Sequence, residues 1–317
     1  MTKRRYFLII DGHALIYRAF HAFPDLTTKE GQLVNAVFGF SRNVLTAIRD
    51  YQPTFIAVAF DHHGPTFRHK DYVEYKANRQ AMPETLRPQI EIVKKVVTAL
   101  NIPQFSVEGF EADDLIGTMS CQLRDLQESQ NLMTLIVTGD RDTFQLVNNC
   151  THVWLPGRGK GQLDKEYDAE AVNERMGVLP EQIVDLKALM GDASDNIPGV
   201  KGVGEKTAVK LMQAFGSLAN LYTAVDQWVA GNQSVGQGVL KETLVQKLVS
   251  DKANALLSQQ LATIDCSSPV KLSLEDCRVS SYDKEGALAL FEEMDFKTLK
   301  ALLPPDEFEL GVQNALF

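Results

Sequence analysis

Three short apolar runs in this chain each end in an aspartate, and that repeated ending restricts the fold more than any other feature. Phe7-Leu8-Ile9-Ile10 leads into Asp11, Phe55-Ile56-Ala57-Val58-Ala59-Phe60 into Asp61, and Leu135-Ile136-Val137-Thr138-Gly139 into Asp140. Runs of this length without polar alternation fit strands buried on both faces of a parallel sheet. From residue 1 to about 175 they alternate with helical patterns, which predicts an α/β domain: a mostly parallel central sheet with helices on both faces. Ligands of open α/β sheets bind outside the carboxyl ends of the strands, so three aspartates leaving three strands are expected to converge on one crevice.

Further acids follow the same plan, at Glu111, Asp113, Asp114, Asp142, Asp192 and Asp195. Aspartate is common at strand ends, in turns and at helix N-termini, and that ordinary explanation covers any one of them. Acids in a first helical turn also suit the helix dipole. These preferences do not require Glu111-Ala112-Asp113-Asp114 or Asp140-Arg141-Asp142, because unneutralised carboxylates sharing a cleft repel and raise each other's pKa. Divalent cations remove that cost. Oxygen donors without His or Cys suit a hard cation such as Mg²⁺ or Mn²⁺.

Composition narrows the classes. The chain of 317 residues can hold one large α/β domain and a smaller partner. Its 32 Lys+Arg against 41 Asp+Glu give a net charge of −9, which argues against coating nucleic acid through bulk charge and leaves local basic patches to hold any polyanion. Cys121, Cys150, Cys266 and Cys277 form no C-x-x-C pair, so neither a zinc site nor a disulfide framework is expected. The run after Lys3-Arg4-Arg5 is ended by Asp11 before it could form a signal-peptide core, and no apolar stretch approaches the roughly 18 residues of a membrane span. A soluble protein of a reducing cytoplasm, acting as a monomer, is the expectation.

Between the second and third aspartate-ended runs, residues from about Pro65 to Arg87 are polar and aromatic, with Arg68, Lys70, Tyr72, Tyr75, Lys76, Arg79 and Arg87. With too few apolar residues for a core helix, this segment is expected to stand out from the sheet; a solvated helix face is the ordinary alternative. Gly157-Arg158-Gly159-Lys160-Gly161 suggests a basic hairpin tip. Residues from about 176 to 265 look mainly helical, with Leu186, Leu189, Met190, Val209, Leu211 and Met212 at core spacings. Within them, Gly199-Val200-Lys201-Gly202-Val203-Gly204-Glu205-Lys206-Thr207 is a tight glycine turn feeding a helix, a way to present backbone N–H groups to phosphate without reading bases.

These segments resemble one family, the 5′ nuclease domain at the N-terminus of bacterial DNA polymerase I, related to flap endonucleases. The resemblance rests on Asp11-Gly12-His13 with Tyr17-Arg18-Ala19-Phe20-His21, Phe60-Asp61, Thr66-Phe67-Arg68, Tyr75-Lys76-Ala77-Asn78-Arg79 and Glu111-Ala112-Asp113-Asp114. It continues through Thr138-Gly139-Asp140-Arg141-Asp142, Gly191-Asp192-Ala193-Ser194-Asp195-Asn196 and the glycine turn, in order over about residues 6 to 265 and more loosely to about 303. It implies metal ligands at Asp11, Asp61, Glu111, Asp113, Asp114, Asp140, Asp142, Asp192 and Asp195. It also implies a helical arch at about 65–95, with Lys76 and Arg79 as phosphate-handling residues and Arg68 and Tyr75 as DNA contacts. The glycine turn becomes a helix-hairpin-helix within 176–265 that holds duplex DNA through Gly199, Lys201, Gly202, Gly204, Lys206 and Thr207, with a potassium ion on backbone oxygens.

The expected chemistry is in-line hydrolysis at phosphorus by two metal ions, acting on 5′ flaps, 5′ duplex ends or RNA-DNA primer strands in replication and repair. Asp11, Asp113, Asp114 and Asp140 are expected nearest the metals, with Asp61, Asp192 and Asp195 acting through water. Lys76 with Arg18 or Arg79 would steady the phosphate. Two other readings stay open: a DNA-structure binding module with a weak site, and a nuclease acting mainly on RNA. After an extension over 266–303, residues 304–317 end in Gln313-Asn314-Ala315-Leu316-Phe317, which resembles the Q-x-x-L-F peptide that docks bacterial proteins on the sliding clamp through Gln313, Leu316 and Phe317. Such an ending is expected of a free-standing nuclease rather than an excised polymerase domain.

Overall fold

Successive residues of the first strand, β1 (Arg5–Asp11), point to opposite sides, and both sides are dry: Phe7 and Ile9 enter one core, Leu8 and Ile10 another. A strand without an exposed face needs cover on both, and helices supply it. The structure, a computed structural model, describes residues 4–157, 163–236 and 238–305. After β1 come α1 (Gly12–Ala22), α2 (Asn35–Tyr51), β2 (Phe55–Ala59), α3 (Phe67–Asp71), α4 (Arg87–Ala99), β3 (Gln104–Phe105), α5 (Ala112–Gln130), β4 (Leu132–Val137), β5 (Thr151–Leu155) and β6 (Lys165–Tyr167). The helical part contains α6 (Ala169–Met176), α7 (Ile183–Met190), α8 (Glu205–Phe215), α9 (Leu218–Val229), α10 (Glu242–Ser250) and α11 (Lys252–Ala262), and the chain then continues to α12 (Lys284–Glu293) and α13 (Lys297–Lys300).

The strands stand in the order β3-β2-β1-β4-β5-β6, all parallel except β6, which runs against β5. The expected sheet therefore forms, and its order reverses between β1 and β4, where open α/β sheets leave a crevice. Register aligns the strand ends: Asp11 faces Ala59 of β2, and Ile10 faces Val137 of β4. One face, with Leu8, Ile10, Ile56, Val58, Leu135 and Val137, packs on α1, α2 and α4. The other, with Phe7, Ile9, Phe55 and Ile136, packs on α5 and shares its core with Leu186, Leu189, Leu211 and Met212 of the helical part. Each such fully buried side chain contributes about 1.5–3 kcal/mol, so this shared core ties the two parts together. Residues 277–279 then return to the sheet, with Ile56 N–H donating to the Cys277 carbonyl at 2.8 Å and Val279 N–H to the Thr54 carbonyl at 2.9 Å.

The polar segment after Pro65 does not stand away from the sheet. Arg68 and Tyr75 are each 3% exposed, and Tyr75 packs with Ile197, Leu261 and Ala262 of the helical part. The backbone N–H of Lys76 donates to the Asp195 carbonyl at 2.9 Å, and Asn78 and Asn196 add side-chain bonds to the carbonyls of Ala193 and Glu74. Its cations and phenol found acidic partners, so complementarity with the carboxylates replaced the missing apolar residues. The expected arch range of 65–95 also runs too far, because α4 buries Ile90 and Val93 in the core. The expected basic tip from Arg158 to Gly161 and the tail from Asp306 to Phe317, including Gln313, Leu316 and Phe317, lie outside the described residues. Among the described residues Cys121, Cys266 and Cys277 are free thiols, and no helix is long and apolar enough to cross a membrane.

Candidate active site at the carboxyl end of the sheet

A cleft of about 980 Å³ opens at the ends of β1, β2 and β4, lined by Asp11, Asp61, Glu111, Asp113 and Asp140 together with Arg18, Lys76 and Arg79. Asp11 caps α1, its Oδ1 accepting from Ala14 N–H at 3.0 Å while Oδ2 accepts from the Thr138 hydroxyl at 2.7 Å. The same hydroxyl accepts from Asp140 N–H at 3.0 Å, so one threonine aligns the aspartates leaving β1 and β4. Gly139 between them is required by contact: a Cβ there would sit 2.7 Å from the Ala14 carbonyl oxygen. Asp61 accepts from Ala112 N–H at 2.8 Å and its own N–H donates to His13 Nδ1 at 3.0 Å, joining the end of β2 to the start of α5 and to α1.

Burial pushes the Asp11 carboxyl up to about 7, with Asp61 and Asp140 adding to it against the hydrogen bonds from Thr138 and Ala14. Burial, then Asp11, Asp140 and Glu111, push Asp113 well above the usual carboxylate range. A carboxyl whose folded pKa is raised stabilises the fold below its unfolded pKa and loses that contribution as pH rises through the folded value. In EDTA, Asp113→Asn should therefore melt above the parent protein, and the gap in Tm should widen between pH 5 and pH 8. A constant gap would remove the repulsion argument.

The nine acids expected in one crevice divide. Asp142 and Asp192 lie apart from the five in the cleft and share the buried ammonium of Lys187, which donates to Asp142 and, at 2.7 Å, to Asp192 Oδ2. Burial pushes Asp192 up, but Lys187 and Ser194 outweigh it and hold the carboxyl at about 2. Asp195 pairs with Arg79 and, at 3.8 Å, with Lys76, whose Nζ donates to Glu111 at 2.7 Å. Lys76 holds a left-handed backbone, φ 57°, which is strained for a residue with a side chain. Among the described residues no three acid, imidazole or thiol groups close a cage around one point.

Three expectations are corrected here. Asp114, expected beside the metals, is fully buried away from the cleft; its oxygens accept from both Arg68 terminal nitrogens at 2.9 and 2.7 Å and from the N–H groups of Glu111 and Asp265. Arg68, expected on DNA, is consumed by that pair and by the carbonyls of Leu261 and Thr263. Tyr75, also expected on DNA, is buried with its hydroxyl directed at Glu111, 3.2 Å, and Asp195, 3.5 Å. Arg18 does line the cleft, but its guanidinium donates to the main-chain carbonyls of Gly139 and Pro156, which braces the Thr138–Asp140 turn. Sequence reasoning gave no role to Thr138 and His13, which it met only within motifs, and overlooked Lys187. For Lys187 a signal existed: a lysine within Leu186-Lys187-Ala188-Leu189-Met190, an otherwise apolar helical run.

The glycine turn joins α7 to α8. Gly191 ends α7, and Asp192 and Ile197 exchange backbone hydrogen bonds at 2.9 and 2.8 Å, closing the loop that carries both aspartates. Gly199, at φ 62°, lies so close to Gly191 that a Cβ would fall 2.3 Å from its nitrogen. Lys201, Gly202, Gly204 and Lys206 are exposed around the N-terminus of α8, and Thr207 is partly exposed.

Comparison with known proteins settles the lineage. Residues 6–177 match the family model described as 5′-3′ exonuclease, N-terminal resolvase-like domain, and residues 178–285 match 5′-3′ exonuclease, C-terminal SAM fold. The chain belongs to the 5′-3′ exonuclease family. Relatives of this exonuclease-family chain include DNA polymerase I of Bacillus caldotenax, 42% identical over 98% of the chain and 34% of the relative, and that of Bacillus subtilis, 38% identical over 100% and 34%. The chain thus spans about a third of the length of the polymerases it matches. Its fold is similar to that of a bacteriophage T5 flap endonuclease in a complex with DNA and metal ions, with TM-score 0.64 and 20% identity over 92% of this chain and 100% of that one. The catalytic core of Rad2 in complex with DNA substrate shares the fold at TM-score 0.59 and 18% identity, over 95% and 93% of the two chains.

Proposed function

We propose that this nuclease hydrolyses phosphodiester bonds at 5′ flaps and 5′ ends of duplex DNA, or of RNA-DNA primer strands, with two divalent ions, in primer removal and repair. The observation that carries the reading is the meeting of Asp11, Asp61, Glu111, Asp113 and Asp140 with Lys76 and Arg79 in one cleft. Those acids fit a hard cation: the donors are oxygens, and Asp11 and Asp113 are held against their own repulsion, which a divalent charge relieves. Such an ion would keep part of its water shell and take its remaining ligands from a phosphate. Mg²⁺ is the proposed ion, with Mn²⁺ able to replace it. Bound divalent ions supply a lowered pKa for the attacking water and charge neutralisation at the leaving 3′ oxygen.

The chain's own cations do the rest. Lys76 and Arg79 reach the cleft while paired with Glu111 and Asp195, and an entering phosphate would draw them onto its oxygens. Arg18 keeps Asp140 in place by bracing its turn. Around α8, Lys201, Lys206 and Thr207 with the backbone of Gly199, Gly202 and Gly204 would hold duplex phosphates, with a K⁺ ion on carbonyls of the same turn. The Gln313, Leu316 and Phe317 peptide would dock on a bacterial sliding clamp.

Cleavage of a 3′-labelled 5′-flap duplex in Mg²⁺, Mn²⁺ or EDTA tests the proposal. Products near the flap junction are expected in either metal and none in EDTA. Tight flap binding without cutting in either metal would overturn it.

A further inference from the structure

A lysine that is 6% exposed, between Leu186 and Leu189 of the shared core, needs a strong reason to be there. Its partners come from both parts of the molecule: Asp142 follows β4 just after the cleft's Asp140, and Asp192 sits in the turn closing α7. Asp142 N–H donates to Asp140 Oδ1 at 3.0 Å, so one hydrogen bond links the group to the neighbouring cleft. Asp192 Oδ1 is held by Ser194 through its N–H at 2.8 Å and its hydroxyl at 2.5 Å, which leaves Oδ2 directed at the ammonium. Two fixed carboxylates thus face one fixed cation.

We infer that Lys187 is a built-in counter-cation for the Asp142–Asp192 pair, offsetting half of its charge before metal arrives and forcing any ion that enters there to displace the ammonium. This rests on the metal-dependent reading above and goes further, because it assigns unequal affinities: the cleft acids take an ion readily, whereas the Asp142–Asp192 pair takes one only against Lys187. With both acids ionised, the ammonium leaves one net negative charge in the group, whereas a methionine at 187 would leave both carboxylates uncompensated and a vacated space between hard oxygen donors.

Mn²⁺ alone, titrated into parent protein and Lys187→Met and followed by electron paramagnetic resonance, tests the assignment without any turnover. The variant is expected to bind one Mn²⁺ more, or the weaker Mn²⁺ at least about tenfold tighter, and its metal-free Tm should fall by about 10 °C and recover with Mn²⁺. A purely structural lysine would lower Tm without changing the isotherm, and superimposable isotherms would overturn the inference. Absence of Mn²⁺ binding in the parent would instead sink the metal-dependent reading, and this inference with it. Should Lys187→Met not fold, acylation of the parent's lysines read by mass spectrometry replaces it. Lys187 should be protected in EDTA and acylated several-fold faster at saturating Mn²⁺; unchanged protection would overturn the displacement.

Discussion

Asparagine at position 113 is expected to lower kcat for flap cleavage about 10³-fold, roughly 4 kcal/mol of transition-state stabilisation, while flap affinity changes little. The reason is where Asp113 stands: in the first turn of α5, lining the cleft with Asp11, Asp140 and Glu111, with its charged form disfavoured by burial and then by all three. Under the proposed function, a carboxylate kept under such repulsion would take a cation, and a cation there would act on charge that develops during reaction rather than on the bound ground state. Single-turnover cleavage beside Kd measured by fluorescence anisotropy separates the effects. A variant retaining more than a tenth of the parent's rate would remove Asp113 from the metal set.

Arg68→Met is expected to cost about 3–5 kcal/mol of folding stability, read as a lowered midpoint in urea, because it strands the fully buried Asp114 carboxylate without its cation. The pair does more than neutralise itself. Arg68 also holds the carbonyls of Leu261 and Thr263 at the end of α11, and Asp114 the N–H groups of Glu111 and Asp265, so the pair joins the polar segment, α5 and the helical part. Removing both charges in Arg68→Met/Asp114→Leu should recover much of the loss, since an apolar pair of similar volume avoids the desolvation cost. A loss below about 1 kcal/mol for the single variant would show that water reaches the pair. The neighbours 113 and 114 then respond oppositely without metal, Asp113→Asn stabilising and Arg68→Met or a lone change at Asp114 destabilising.

That opposition marks how far the chain could be read residue by residue. The apolar runs ending in Asp11, Asp61 and Asp140 predict three parallel strands and a common crevice, because strand burial and the ends of βα units are local consequences of composition. The helical part and its glycine turn are equally local, and Gly191 and Gly199 stand where the backbone admits no side chain. Local pattern fails where partners lie far apart in the chain. Arg68 and Tyr75 read as surface residues reaching for DNA, and became interior once Asp114, Glu111 and Asp195 were folded against them.

The sequence by itself determined the sheet, the positions of three aspartates at its ligand-binding end and the family to which the chain belongs, since each depends on short-range periodicity or on motifs in order. Only the tertiary structure decided which acids share a cleft, which one is sealed against an arginine, and which two are bridged by Lys187. A carboxylate's role depends on its solvation and on charges within a few ångströms, and those come from distant segments, as between Asp114 and Asp265, whose separation is 151.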